Sequence, residues 1–330
     1  MLSYKEFKEE IRSYMEQQMG SGYSVNICKV RKANMGVLDS MTIFEKGRAG
    51  DHVSPNIYLK PFYLKYIEGM GIQEIKEAVS FQYQKGTENA EDFMKSMPNF
   101  TVYEECKDRL YYKLLGTERN HDLLKKVPHR EVMDLSVVPY ILLNESDNGT
   151  RSVMVSNIMT ESWGVTAETV LKQAFENMPK IMPAKAGTMK SLAEAVLETV
   201  ADKEDNADIM ASETKAASEM FSGKGEFPGP FVLTNKKGIN GFAVVLYPGV
   251  LKDAADIIGK NLFILPSSIH ESLLVADDGS VGIPDLCKMV REVNETCVAE
   301  DEIVSNSVYF YNREEGKLSI AGEESLCVRL

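Results

Sequence analysis

The sequence contains few of the residues that build metal and disulfide sites. Its five cysteines are scattered, without a Cys-x-x-Cys pair: Cys28, Cys106, Cys287, Cys297 and Cys327. Neither a disulfide framework nor a cysteine zinc site is indicated. The four histidines are far apart, and no His-Glu-x-x-His, phosphate-loop or G-x-S-x-G pattern is present. We therefore expect no resident metal and no cofactor.

Long hydrophobic runs are also missing. No segment approaches the roughly 20 consecutive apolar residues of a membrane span. The chain opens on Ser3-Tyr4-Lys5-Glu6, a capping box that predicts a helix, where a secretory signal would need a basic region and then an apolar run. From these features we expect a cytoplasmic protein that does not associate with membranes.

Basic residues are outnumbered, with 37 Lys and Arg against 49 Asp and Glu, a net charge of −12. Because nucleic-acid binding depends on neutralising phosphates, this excess of acid disfavours a nucleic-acid partner. The exception is the stretch 107–130, which has seven Lys and Arg against three acids. It predicts either a weak nucleic-acid interface or, as exposed charge usually does, a solvated surface.

The hydrophobic patterns mix helices and strands along the chain. Phe7, Ile11 and Met15 recur at helical spacing within a helix predicted from Tyr4 to Met19, and two alternating segments around Asn34-Met35-Gly36 predict a β-hairpin. No regular βαβ repeat follows. The sequence therefore predicts an α+β fold with mixed, mainly antiparallel sheets flanked by helices.

We divide the chain into three parts that form one continuous structural unit. Residues 1–183 and 227–330 are predicted as N-terminal and C-terminal α+β parts. Residues 184–226 contain nine alanines and nine acidic residues, and this composition predicts a helical acidic insertion or linker.

The most distinctive string is Leu265-Pro266-Ser267-Ser268-Ile269-His270-Glu271, between two predicted strands. Ser267 or Ser268 as nucleophile, with His270 as base and Glu271 as the orienting acid, would give a hydrolase-type site. If a strand begins at Ile269, however, His270 and Glu271 point to opposite faces. The alternative interpretation is structural: the serines and His270 bind backbone in a tight connection, and Glu271 faces solvent.

A second candidate site follows Pro128. Arg130 has the geometry to bind an anionic ligand, His129 is able to titrate near neutrality, and Asp134 is close in sequence. The alternative interpretation is surface salt-bridging where a strand begins.

Four strings are familiar together and in this order: Ser54-Pro55-Asn56-Ile57-Tyr58-Leu59, Val127-Pro128-His129-Arg130-Glu131, Phe231-Val232-Leu233-Thr234-Asn235 and Leu265-Pro266-Ser267-Ser268-Ile269-His270-Glu271. They resemble a family of uncharacterised bacterial proteins, typical of anaerobic gut bacteria and classified as a domain of unknown function. The resemblance implies a single homologous unit of bacterial cytoplasmic origin. It implies no activity, cofactor or catalytic residue.

Two functions follow as expectations. The absence of metal, phosphate and nucleophile signatures, together with an acidic surface, favours a non-enzymatic binding or regulatory protein. We expect a protein partner, with a small-molecule ligand as the second class. The alternative function is the hydrolase-type enzyme that uses His270 with Ser267 or Ser268.

Overall fold

The computed structural model describes residues 1–47, 54–88, 97–146, 149–188 and 230–329. The chain divides into two compact units, Met1–Met97 and Pro98–Leu330. The described residues form helices and three antiparallel sheets, which confirms the predicted α+β class. None of the described helices has the length and apolar character needed to cross a membrane.

The described part of the first unit combines helices with a three-stranded sheet of order β1-β2-β3. In chain order its elements are α1 (Tyr4–Met19), β1 (Tyr23–Lys32), β2 (Gly36–Glu45), β3 (Ile57–Tyr58), α2 (Leu59–Ile67) and α3 (Ile72–Thr87). β1 and β2 form the predicted hairpin, with Asn34 and Gly36 in left-handed conformation at its turn.

Helix α1 begins and ends at the residues that the sequence predicted. The Ser3 Oγ accepts a hydrogen bond from the Glu6 N–H, and the Glu6 carboxylate accepts one from the Ser3 N–H, which completes the capping box. Its apolar side chains, Phe7, Ile11 and Met15, are buried in the core of this unit with residues of the sheet and of α3. Each buried side chain of this size contributes about 2 kcal/mol.

The second unit starts with a four-stranded sheet. Its elements are α4 (Tyr103–Cys106), a 3₁₀ helix (Lys107–Arg109), β4 (Leu110–Gly116), α5 (Thr117–Leu124), β5 (Arg130–Val132), β6 (Leu135–Ser146) and β7 (Gly149–Met154). β6 is the central strand: β4 pairs along one side of it, and β5 and then β7 pair along the other. Pro139 of β6 lies where β5 has ended and β7 has not begun, so its missing N–H costs no ladder bond.

Helix α6 (Asn157–Trp163) and helix α7 (Ala167–Ile181) follow. α7 packs on β4, where the rings of Phe175 and Tyr112 lie 4.6 Å apart. The Tyr112 hydroxyl donates to the Ala243 carbonyl over 3.1 Å, a contact with a 3₁₀ helix (Gly241–Leu246) of the last third of the chain.

The seven-stranded sheet has the order β14-β13-β12-β10-β11-β9-β8. Its strands are β8 (Ala184–Thr188), β9 (Phe231–Asn235), β10 (Leu262–Pro266), β11 (Ser272–Ala276), β12 (Tyr309–Asn312), β13 (Lys317–Ile320) and β14 (Glu323–Arg329). Helix α8 (Val250–Ile258) precedes β10, and helix α9 (Ile283–Thr296) follows β11. Leu286 and Val290 of α9 are buried with Phe263, Leu265 and Leu273 of the sheet.

The prediction of helix from residue 184 is wrong at its start, because Ala184–Thr188 is a strand. Pairing with β9 supplies these residues with backbone partners, Ala184 opposite Asn235 and Thr188 opposite Phe231. Helix propensity is a weak preference that such a pairing overrides. Residues 189–226 of the predicted insertion lie outside the described residues, and the division at 183 and 226 stays a prediction.

Candidate functional site

The string from Leu265 to Glu271 ends β10 and forms the whole connection to β11. Strand β11 begins at Ser272, three residues later than predicted, so His270 and Glu271 belong to the connection rather than to opposite strand faces. The Ile269 N–H donates to the Glu302 carbonyl over 2.8 Å, and the Ile269 carbonyl accepts from the Phe242 N–H over 3.2 Å. Backbone bonds to two other segments therefore fix this connection.

Both ring nitrogens of His270 have partners. The Asn240 N–H donates to Nδ1 over 3.3 Å, and Nε2 lies 3.4 Å from Oε1 of Glu302. Because Nδ1 accepts a hydrogen bond, the proton of the neutral imidazole is assigned to Nε2, facing the Glu302 carboxylate. The His270 carbonyl accepts from the Thr234 hydroxyl over 2.7 Å. Neither ring nitrogen forms a hydrogen bond with Ser267 or Ser268, so the structure does not form the serine–histidine pair of the hydrolase hypothesis.

Both serines form hydrogen bonds with other residues of the β10–β11 connection. The buried Ser268 Oγ accepts from the His270 N–H over 3.0 Å, and the Ser267 hydroxyl donates to Oε1 of Glu271 over 3.5 Å. Burial raises the pKa of the Glu271 carboxyl, whereas the nearby His270 and the hydrogen bond from Ser267 lower it. Glu271 is thus partly buried, and the expectation that it faces solvent is wrong.

Gly241 packs tightly against the backbone of His270. A Cβ at Gly241 would lie 2.1 Å from Oγ1 of Thr234 and 2.2 Å from the His270 carbonyl oxygen, so no larger residue fits without displacement. We call Thr234, Asn240, Gly241, His270 and Glu302 the His270 cluster. Sequence reasoning missed every member except His270, because the others come from segments about 30 residues away. The only signal was the Phe231–Asn235 string, which contains Thr234.

The second candidate set is not brought together. Nη2 of Arg130 donates to Oε1 of Glu168 over 2.7 Å, and Nδ1 of His129 lies 3.1 Å from the Val127 carbonyl oxygen. Arg130 also lies over the Phe175 ring, with Cζ 5.4 Å from its centroid. These contacts agree with salt-bridging where β5 begins.

Asp134 belongs to a different network. It occupies the two-residue turn between β5 and β6 beside Met133, whose φ of 59° is unusual for a residue with a side chain. Its Oδ2 accepts from the Ser305 hydroxyl over 2.5 Å, and its Oδ1 accepts from the Tyr309 hydroxyl over 2.8 Å. Burial and then the neighbouring Asp134 raise the pKa of Tyr309 well above its usual value. Sequence spacing gave no signal for either partner.

The basic stretch 107–130 is largely balanced by nearby acids. Four of its seven cations form ion pairs: Lys107 with Glu104, Arg119 with Glu300, Lys125 with Asp122, and Arg130 with Glu168. A phosphate would have to compete with these carboxylates. Within the part of the chain that the structure describes, no group of three His, Cys, Asp or Glu side chains is arranged to hold a metal ion.

A family model, the family of unknown function DUF5688, matches residues 4–313. The chain belongs to this family. No curated protein and no solved structure matches it. The DUF5688 match includes the His270 cluster, the connection from Ser267 to Glu271 and the Asp134 network, so all three lie within the family's own domain.

Proposed function

We propose that this DUF5688 protein is a non-enzymatic binding or regulatory protein of the bacterial cytoplasm. Its main partner is a protein, and a small molecule is the second class of ligand. The observation that carries this proposal is the engagement of both ring nitrogens of His270, by the Asn240 N–H and by the Glu302 carboxylate.

A general base needs a ring nitrogen that reaches the proton of its nucleophile. In His270 the nitrogen that would accept this proton, Nδ1, already accepts a hydrogen bond from the Asn240 N–H. The ring therefore holds the segments around Asn240 and Glu302 against the β10–β11 connection. In this role His270 stabilises the fold and does not take part in catalysis. This role supports the proposal that the protein functions by binding partners.

The charge of the chain indicates the character of the partner. A net charge of −12 attracts basic protein surfaces and repels polyphosphates such as nucleic acids. The ion pairs within the stretch 107–130 support the same preference, since four of its seven cations are already paired with carboxylates.

One observation favours the hydrolase-type alternative. The Ser267 hydroxyl lies 3.5 Å from Glu271, a partly buried carboxyl whose pKa is raised by burial. A carboxyl of this kind beside a hydroxyl is found in acid–base sites. In this version of the alternative, Glu271 rather than His270 would act on the serine.

The experiment compares the wild-type protein with Ser267→Ala and Glu271→Gln. Purified proteins are assayed against chromogenic carboxylic and phosphate esters, and the tagged wild type is isolated from its native cells at endogenous level. We expect no turnover and a stoichiometric protein partner that rebinds when both components are purified. Turnover that both substitutions abolish would establish the hydrolase, and failure of every isolated partner to rebind would contradict the binding function.

A further inference from the structure

The imidazole of His270 accepts one hydrogen bond and faces one carboxylate, and its two contacts favour different protonation states. The Asn240 N–H donates to Nδ1 over 3.3 Å, so this nitrogen holds a lone pair. Nε2 then holds the ring proton and lies 3.4 Å from Oε1 of Glu302. A protonated imidazole has two N–H donors and no acceptor. The contact with Asn240 therefore requires the neutral ring, whereas protonation strengthens the contact with Glu302.

Two carboxylates interact with this ring from different parts of the described chain. Glu302 comes from the segment after α9, and Glu271 belongs to the β10–β11 connection, where burial raises its pKa and the nearby His270 opposes that shift. Strand β9 and the 3₁₀ helix contribute uncharged groups, the Thr234 hydroxyl at the His270 carbonyl and the Asn240 N–H at the ring. The two acids favour protonation of the ring, and the Asn240 N–H opposes it. The His270 side chain is 31% exposed, so solvent protons reach it.

Asn240 is the residue that responds to the charge of the ring. It is buried, it directly precedes the 3₁₀ helix, and its φ of 52° is uncommon for a residue with a side chain. When Nδ1 gains a proton, two N–H donors face each other and the hydrogen bond is lost. A buried N–H without an acceptor costs free energy, which favours local opening toward water. The bond from the Phe242 N–H to the Ile269 carbonyl does not involve the ring, so the opening is confined to the turn before the helix.

We propose that His270 is a pH-sensitive switch for the turn formed by residues 236–240. The neutral ring holds the Asn240 N–H. As the pH falls, protonation of Nδ1 breaks this contact, strengthens the ion pair with Glu302 and releases the turn. The switch goes beyond the binding function proposed above. Its test measures the protein without a partner, so either proposal can fail while the other stands.

The test is an NMR titration of ¹⁵N-labelled full-length protein from about pH 8 to about pH 5, the range in which histidine changes its charge. The ring nitrogen signals of His270 report its tautomer, and the amide signal of Asn240 reports its hydrogen bond. We expect the Nε2–H tautomer at the upper end, then protonation of Nδ1 and a shift of the Asn240 amide with the same midpoint. The protection of this amide against hydrogen exchange, corrected for the intrinsic pH dependence of exchange, should fall by about tenfold.

His270→Asn is the matched variant, because its side-chain amide oxygen offers an acceptor near the position of Nδ1 at every pH. We expect the Asn240 amide of this variant to keep its protection across the whole range. Glu302→Gln removes the carboxylate that favours the charged ring, and we expect it to move the midpoint to lower pH. Glu314→Gln, at an exposed position, is the control and should leave the midpoint unchanged.

An Asn240 amide that does not respond while the His270 ring titrates overturns the proposal. A response that persists in His270→Asn also overturns it, because another group would then cause the change. So does a midpoint that Glu302→Gln leaves unchanged, since the charged ring would then gain nothing from this carboxylate. If a variant does not fold, the wild-type titration decides, because the ring and the Asn240 amide must share one midpoint.

Discussion

The Tyr309 hydroxyl donates a 2.8 Å hydrogen bond to Oδ1 of Asp134, which joins strand β12 of the seven-stranded sheet to the β5–β6 turn of the four-stranded sheet. The Ser305 hydroxyl binds the other carboxylate oxygen. Tyr309 is 1% exposed, so its hydroxyl has no access to bulk water as a replacement partner. The contact thus ties together two sheets of the second unit that are distant in sequence.

Removal of the Tyr309 hydroxyl should destabilise the second unit. We expect Tyr309→Phe to lower the free energy of unfolding by about 1–3 kcal/mol, because one partner of a buried charged hydrogen bond is lost. Chemical denaturation measures this value, and a double-mutant cycle with Asp134→Ala should show coupling. Tyr311→Phe, in the same strand, is the control, with an expected change below about 0.5 kcal/mol. Strict additivity in the cycle would contradict the interaction.

Substitution of Gly241 tests the packing of the His270 cluster. The Cβ of an alanine would meet Thr234 Oγ1 and the His270 carbonyl at little more than 2 Å. We expect Gly241→Ala to destabilise the protein by about 3 kcal/mol or more, since backbone atoms must move. Gly22→Ala is the control, because no atom lies within 4 Å of the added Cβ. Equal melting temperatures of the two variants would refute this packing.

Glu271 should make stability depend on pH. Burial raises its pKa in the folded state, so the folded protein holds this proton at pH values where the unfolded chain has lost it. Stability then falls as the pH rises from about 4.5 through the folded pKa, and it stays reduced above. We expect Glu271→Gln to be more stable than the wild type at pH 7 and equal to it near pH 4, measured by thermal unfolding. The exposed Glu314→Gln should show no such difference at either pH.

Lys113 should give the opposite dependence. Its pKa of about 8 in the folded state lies below the usual 10.5, so the cost of burying the charge is complete below pH 8. Between pH 8 and 10.5 the folded protein releases the proton before the unfolded chain does, and the cost declines.

We expect Lys113→Met to stabilise the protein at pH 7 by on the order of 1–2 kcal/mol, a value reduced for the partial exposure of the lysine. The advantage should shrink toward pH 10 when both proteins are unfolded by denaturant in chloride buffer. An advantage that is constant from pH 7 to 10 would show that Lys113 titrates as an ordinary exposed lysine.

Local signals predicted much of the fold. The capping box at Ser3 and Glu6 and the turn at Asn34 and Gly36 act over a few residues, and both elements are present as predicted. Ala184–Thr188 was mispredicted because its pairing partner, Phe231–Asn235, is distant in the sequence. Propensity contains no information about such a partner.

The candidate sites show the same limit. The sequence indicated His270 and Asp134, but their partners, Glu302 and Tyr309, come from segments that only the folded chain brings close. The proximity of Ser268 to His270 in sequence suggested chemistry, whereas the contact is a turn bond from the His270 N–H. In the sequence Lys113 is one charge of a basic stretch, and its burial depends on the pairing of β4 with β6.

The pairing of β8 with β9 has a consequence for engineering. Thr188 and Phe231 are neighbours across the ladder, so the chain leaves the sheet and re-enters it at adjacent positions. The free energy of closing such an excursion changes by only about 0.6 kcal/mol for each doubling of its length. A short linker, or a reporter protein with adjacent termini, inserted between Thr188 and Phe231 is therefore expected to keep the register of both strands.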